Sequence, residues 1–413
     1  MSKPKPWFME PTAGQWASFS AAWLGWVMDA FDFTVFLLVM KQIGDEFKTS
    51  TTTTAGIIAL TLLTRLLGGT VAGWAADKWG RRLPLMISVI WFATCDGLVS
   101  IAPSFFWIVV LRTLFGFGMG AEWTSGATLA MENWPERSRG IASGILQGSW
   151  AVGYLLAGLA AGWIVPHWGW RGLFLAAAAP AVLALPIRFF VPESPEWKTR
   201  AALKKLVRWS DVFATPGVTK KLTWAVFAMA AGFGGYYGLT GNYSVMLLKS
   251  FSLDMGAVSQ NVALFNVGML IGAVICGTVA AKESVIPAVA VPALAMVFAV
   301  PLYIGYSPGW LPIGAFLGGM FGGGYSGVTP LLLTGLFPAD IRARCVGLVY
   351  HLGAIPAAFV PMGTAALADQ HVMSLPMAIG LVVVVCQLLM ATLILFAPKE
   401  SAGPARTEAA IAH

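Results

Sequence analysis

Apolar residues run along this chain in long uncharged blocks, such as Leu83 to Cys95 and Val285 to Phe337. A helix needs about 20 predominantly apolar residues to cross the hydrocarbon core of a bilayer. On that length the pattern predicts twelve crossings, near 16–40, 54–76, 84–102, 105–131, 139–165, 171–190, 222–248, 258–281, 285–305, 309–336, 344–367 and 373–397. The opening segment MSKPKPWFMEP is short and polar and lacks a cleavable leader pattern, so the first block reads as a true membrane helix.

Composition agrees with that reading. Of the 413 residues 57% are hydrophobic and only 11% are charged, against about 25% charged in soluble domains. Mean hydropathy is +0.74, and no soluble fold of this length hides so much apolar surface. The net charge of +7 would suit a polyanion-binding protein, but its placement does not. With the N-terminus in the cytoplasm, most of the 26 Lys and Arg fall in cytoplasmic segments, including Lys3, Lys5, Lys78, Arg81, Arg82, Arg137, Arg139, Arg342, Arg344 and the cluster from Lys198 to Lys221. Outer loops hold Lys41, Lys48, Arg171 and Lys249, and spans hold Arg65, Arg112 and Arg188. That asymmetry places both termini in the cytoplasm. No nucleic-acid partner is expected. Cys95, Cys276, Cys345 and Cys386 lie in or beside apolar spans without CxxC spacing or His partners, so no metal, disulfide framework or cofactor is expected. The polar segments offer no nucleophile–base pair or nucleotide loop, and an enzyme is not indicated.

The longest polar connection, 192–221, divides the spans six and six. A shift of 203 residues places Pro135 on Pro338, Arg139 on Arg342, Gly144 on Gly347, Gly116 on Gly319 and Gly120 on Gly323. The predicted organisation is a six-helix bundle at 1–191, a cytoplasmic loop at 192–221, a second bundle at 222–397 and a tail at 398–413. Such duplication is one way in which transporters are built, with substrate held near the midplane between the halves.

The sharpest motif joins spans two and three. Gly73-Trp-Ala-Ala-Asp77-Lys78-Trp-Gly80-Arg81-Arg82 matches GxxxDKxGRR, the loop signature of the major facilitator superfamily. Gly73 permits close helix packing, Asp77 can pair with basic side chains, Gly80 allows a tight turn, and Arg81 and Arg82 anchor the loop at the surface. In the second half the equivalent positions are Cys276 and Ala280. Where span six ends, Val191-Pro-Glu-Ser-Pro-Glu-Trp197 resembles the PESPxW stretch of sugar and organic-acid porters. Span five lacks the Gly-Pro pair typical of drug antiporters.

Charge inside the spans carries the candidate chemistry. Asp29 and Asp32 are three apart in span one and share a helix face. Arg112 and Glu122 lie in span four. Charges at that depth cost about 2.5–3.5 kcal/mol on insertion scales and persist where they face a cavity, pair, or carry protons. Two close carboxylates cannot both ionise cheaply, which suits a proton carrier. A buried ion pair with Arg112 that only fastens helices is the plainer alternative. Arg65 in span two and Asp96 in span three are weaker candidates, Asp96 because it falls towards a helix end. The second half offers mainly neutral groups, among them Tyr236, Tyr237, Asn242, Asn261, Asn266, Tyr325, Tyr350, His351 and Gln387.

Together these stretches resemble the sialate:proton symporter family of sialic acid and monocarboxylate permeases. The resemblance rests on Trp23-Leu-Gly25 leading to Asp29-Ala30-Phe31-Asp32-Phe33, on Arg112, Gly116, Gly118 and Glu122, on Trp134-Pro135, on Trp168-Gly169-Trp170-Arg171 and on Tyr350-His351-Leu-Gly353-Ala354. Ala30 stands where that family has Gly, and His351 where it has Asn. The resemblance implies an all-α protein of twelve transmembrane helices in two bundles related by a pseudo-two-fold axis. It also implies proton-coupled uptake of a carboxylate such as sialic acid or lactate through the inner membrane, with a monomer as the usual state. Asp29, Asp32 and Glu122 become proton-coupling candidates. Arg112, Phe33, Trp123, Gln147, Tyr236, Asn266, Tyr325, Tyr350 and His351 become substrate contacts. Gly73, Asp77, Lys78, Gly80, Arg81 and Arg82 become the gating motif. Aromatic-acid symporters share a similar first-span element, and export or antiport of an organic acid stays open.

Overall fold

The computed structural model describes residues 6–49, 51–189, 191–202, 209–306 and 308–398. Lys3, Lys5, Lys204, Lys205, Arg208 and the tail from 399 onward lie outside the described residues. Every regular element among the described residues is helical. The first four crossings are α1 (Ala13–Phe47), α2 (Thr51–Trp79), α3 (Arg82–Val99) and α4 (Phe105–Asn133). The fifth and sixth form one element, α5 (Arg139–Phe189), broken at Gly169 where φ is 65°. Glycine takes that left-handed value without a β-carbon clash, so the chain can reverse there. Two short helices follow, α6 (Pro195–Ala202) and α7 (Trp209–Ala214).

The second half is more interrupted. The seventh crossing is α8 (Val218–Thr240) with α9 (Tyr243–Ser250), followed by α10 (Met255–Lys282) and α11 (Val285–Tyr303). The tenth starts as α12 (Leu311–Leu317), passes through a π turn at Gly318–Gly323 and a 3-10 stretch at Gly324–Val328, and resumes as α13 (Thr329–Leu336). Each glycine in a helix interior costs about 1 kcal/mol relative to alanine, so this glycine-rich stretch is where regular geometry gives way. The eleventh is α14 (Arg342–Ala358) with α15 (Val360–Asp369), and the last is α16 (Leu375–Leu395). Nine segments among the described residues are helical, long and apolar enough to cross a bilayer. The second arm of α5, the α8–α9 pair and the interrupted α12–α13 complete the twelve.

Burial is inverted relative to a water-soluble protein. Leu67, Leu159 and Phe298 are exposed, whereas Asp29, Asp32, Arg65, Asp96, Arg112 and Glu122 are buried. That pattern suits a bilayer as solvent, where charges face the bundle interior.

The internal repeat reappears as packing. A β-carbon at Gly116 of α4 would lie 2.2 Å from the Thr61 carbonyl oxygen of α2, and one at Gly319 would lie 1.8 Å from the Phe265 carbonyl oxygen of α10. Across the halves, Gly144 of α5 abuts Ala273 of α10 at 2.4 Å, and Gly347 of α14 abuts Gly69 of α2 at 2.8 Å, measured the same way. Each pair of contacts follows the 203-residue shift to within a residue or so. The architecture is two six-helix bundles related by a pseudo-two-fold axis, with α2 against α14 and α5 against α10 at the seam between them.

Candidate functional site

Four helices of the first half bring six charges together. α1 supplies Asp29 and Asp32, α2 Arg65, α3 Asp96, and α4 Arg112 and Glu122, and each is at most 2% exposed. Arg112 Nη1 donates to Asp96 Oδ1 at 2.8 Å. Its guanidinium lies 3.9 Å from the Phe115 ring centroid and is also flanked by Phe36 and Phe174. Asp32 lies near the same Asp96 carboxyl. Arg65 Nη2 stands 4.0 Å from Asp29 Oδ2, and Glu122 of α4 faces Asp29 as well. Among the described residues, neither carboxylate oxygen of Asp29 or Asp32 has a hydrogen-bond donor.

Beside this cluster a cavity opens between the two halves. Its walls include Arg65, Gln147, Trp150, Tyr236, Tyr325 and Tyr350. One guanidinium and no carboxylate belong to the lining among the described residues. The Arg65 guanidinium sits among three aromatic rings, 5.6 Å from Trp26, 5.9 Å from Trp150 and 5.5 Å from Tyr350. The first half thus contributes the charge and the second half most of the rings.

The sequence-derived candidates divide on this geometry. Gln147, Tyr236, Tyr325 and Tyr350 line the cavity. Arg112, Phe33, Trp123, Asn266 and His351 do not. Trp123 stands behind the wall, stacked on Tyr350 with ring centroids 3.5 Å apart, and Phe33 packs near Trp150. His351 Nε2 lies 3.1 Å from the Gly120 carbonyl oxygen and 3.3 Å from Thr124 Oγ1, a contact between halves. Asn266 Nδ2 donates to its own helix, at the Val262 carbonyl. Asp96, read from sequence as a helix-end residue, is fully buried in the ion cluster.

A second charge network closes the end of the molecule that carries the Gly73–Arg82 loop. Arg81 Nη1 pairs with Asp77 at 3.0 Å, and its Nε and Nη2 reach Glu132 at 3.2 Å. From the other half, Arg342 Nη1 meets Glu132 Oε1 at 3.2 Å and Arg344 Nε meets Asp77 Oδ2 at 3.1 Å. Burial disfavours the Arg81 charge, yet Glu132 and Asp77 outweigh it and hold its pKa above the ordinary value. The 191–197 stretch docks on this turn. Glu193 accepts from the Arg81 and Arg82 backbone N–H groups at 2.9 and 3.0 Å, Ser194 Oγ donates to Glu132, and Trp197 Nε1 donates to the Asp77 carbonyl. Gly80 has φ 97°, and Glu193 Oε2 lies 2.3 Å from where a β-carbon would stand. Lys78 turns outward over Trp74 and Trp79.

Residues 22–306 match the family model described as Major Facilitator Superfamily. The chain belongs to the major facilitator superfamily. It is therefore a multi-pass membrane transporter and not an enzyme. Among its relatives in the superfamily, a cis,cis-muconate transport protein of Acinetobacter baylyi is 30% identical over 83% of this chain and 85% of that protein. The sialic acid transporter NanX of Escherichia coli is 29% identical over 86% and 88%. The proton:xylose symporter XylE, solved with 6-bromo-6-deoxy-D-glucose, superposes with a TM-score of 0.75 at 18% identity, covering 93% of this chain and 96% of that one. That last likeness concerns the superfamily fold.

Sequence reasoning missed Glu132 and placed Arg342 and Arg344 only as topology charges. It also ranked Arg65 below Arg112. Hydropathy finds charges within spans but not the helix face they occupy. The GxxxDKxGRR loop was the available signal for the end network, because its arginine pair and aspartate need partners from elsewhere in the chain.

Proposed function

We propose that this transporter carries an organic carboxylate inward together with a proton, across the inner membrane, by alternating access of the halves 1–191 and 222–397. The observation that carries this reading is Arg65: a cation in the wall of the central cavity, with Asp29 4.0 Å behind it. A substrate carboxylate and the Asp29 carboxylate compete for one guanidinium. A proton on Asp29 removes that competitor, so proton and anion load together. Asp32 and Glu122, with Asp96 and Arg112, form the adjoining buried set through which a proton reaches or leaves Asp29. A ligand shifts a two-state balance only by its differential affinity for the two states. The loaded cavity, with its charges neutralised in pairs, favours closure more than the half-loaded one.

The muconate and sialic acid relatives support the carboxylate class, since both names denote acids. The excess of Lys and Arg in alternate connections supports cytoplasmic termini. The Asp77–Arg81–Glu132 network with Arg342 and Arg344 is the lock at the cytoplasmic end, released when the halves rock. A monomer suffices for all of this.

The test is uptake by proteoliposomes of the purified chain under an imposed inward proton gradient. Asp29→Asn is expected to lose gradient-driven accumulation yet keep substrate exchange. Accumulation that survives in Asp29→Asn would remove Asp29 from the coupling path.

A further inference from the structure

Tyr350 is held as a rigid plane. Trp123 stacks on it with an interplanar angle of 19°, and Phe233 meets it edge-on with ring centroids 4.9 Å apart and an angle of 83°. Trp150 is fixed differently, through its Nε1 donating to Tyr236 Oη at 3.0 Å. Both rings line the cavity, and both flank Arg65. A carboxylate that reaches Arg65 therefore brings its body between fixed aromatic surfaces.

The polar capacity of the same walls is small. Tyr325 Oη already donates to the Gly232 carbonyl at 2.9 Å, and Tyr236 Oη is engaged by Trp150. Among the described lining residues, Gln147 Oε1 and Ser326 Oγ are buried without a hydrogen-bond partner. The hydroxyls of Tyr237, Tyr350 and Thr329 complete the polar part of the lining, and aromatic rings, glycines and aliphatic or methionine side chains make up most of the rest. A sugar acid would set much of its row of hydroxyls against those apolar groups, and each hydroxyl buried without a partner lowers affinity. A short acid such as lactate has the opposite fault, because it leaves the ring surfaces uncovered.

We propose that the cavity selects carboxylates with a flat, conjugated body, an arene or diene acid, over both polyhydroxylated and short aliphatic acids. Specificity then resides in Trp150, Tyr350 and Phe233, with Trp123 as the support that keeps Tyr350 in plane. This rests on the reading of Arg65 as the carboxylate anchor. Rings preorganised at fixed angles gain affinity for a planar partner because little order remains to be imposed on binding.

A matched pair of probes tests it. Benzoate and cyclohexanecarboxylate share charge and approximate size and differ in planarity and conjugation. Titration calorimetry on the purified full chain is expected to show benzoate binding about tenfold more tightly, the ratio that aromatic contact supplies. Trp150→Leu should collapse that ratio towards one, and Phe233→Leu should reduce it if the first variant does not fold. Equal affinity for the two probes in the wild-type protein, both lost in Arg65→Gln, would overturn the proposed selectivity while leaving the carboxylate anchor intact. Binding of neutral benzamide but of neither acid would overturn the anchor and the selectivity together.

Discussion

Two buried charge clusters in this protein use the same residue types and differ in how far their charges are satisfied, although Arg112 and Asp96 do pair closely in the one within the spans. At the looped end, Arg81 donates to Asp77, Glu132 and the Ala76 carbonyl, and Glu132 also receives Arg342 and Ser194. Within the spans, the four carboxylate oxygens of Asp29 and Asp32 have no donor among the described residues, and Arg65 stands 4.0 Å from Asp29. An unanswered buried charge costs several kcal/mol, so the two clusters answer different demands. The satisfied one is a fastener between halves. The unsatisfied one suits the function proposed above, in which a proton and an anion come and go.

The largest effect that can break this contrast comes from Arg65. Arg65→Gln removes the only cation in the described cavity lining, and losing one partner of a buried charge contact costs about 2–5 kcal/mol. Carboxylate binding by the variant, followed by calorimetry, is expected to fall by about 100-fold or more. Retention of near-wild-type affinity would move the anchor elsewhere and leave Arg65 as a structural cation.

The fastener is tested next. Glu132→Gln weakens its pairing with Arg81 and Arg342 across the seam. Cys345 is fully buried beside it and serves as a native reporter. Its maleimide labelling, read by peptide mass spectrometry, is expected to rise about tenfold, within the 1–3 kcal/mol typical of a conformational bias. An unchanged labelling rate would mean that this network does not hold the end shut.

A third test sits on the seam itself. A β-carbon at Gly69 would lie 1.9 Å from His351 Cδ2. Overpacking of this kind costs about 1–3 kcal/mol, so Gly69→Ala should lower the melting temperature by several degrees. His351→Ala in the same chain should restore most of that loss, because the clash partner is gone. If the double variant melts no higher than Gly69→Ala alone, His351 does not occupy that space.

Much of this was legible in the sequence, and the limits have physical causes. Twelve apolar blocks foretold the crossings, because membrane spans need length, and the 203-residue repeat picked out glycines that occupy equivalent places in the two halves, though not the helices they touch. The break at Gly169 falls between the blocks 139–165 and 171–190, where two crossings were already expected, but hydropathy did not show that the reversal turns on a single residue of positive φ. Asp29 and Asp32 stood out because their spacing of three fixes a shared face. Arg65 was ranked below Arg112, because spacing along one helix does not reveal which neighbour a side chain meets on another. Only packing shows Arg112 turned to Asp96 and Phe115, and Arg65 turned to the cavity. His351 and Gly69 lie far apart in the chain, and no local pattern joins them.

The smallest effect concerns a third cluster, at the opposite end of the first half. Arg171 Nη1 bonds both Glu46 oxygens at 2.6 and 2.7 Å, Trp170 Nε1 adds a third bond at 2.7 Å, and Arg171 Nη2 reaches the Ala102 carbonyl. Slight burial works to raise the Glu46 pKa, but the bonds from Arg171 and Trp170 prevail and hold it below the usual carboxylate value. A carboxyl depressed in the folded state contributes stability above its unfolded pKa and loses that contribution as pH falls through the folded one. Arg171→Gln should therefore lower the melting temperature slightly at neutral pH, and its gap to wild type should shrink on acidification. Glu46 is 41% exposed, so added salt should narrow the gap as well. This cluster is satisfied like the fastener but open to solvent like neither of the other two, and it should be the weakest of the three. A gap that widened as the pH fell would show that Glu46 is stabilised in its protonated form, reversing the role assigned to Arg171.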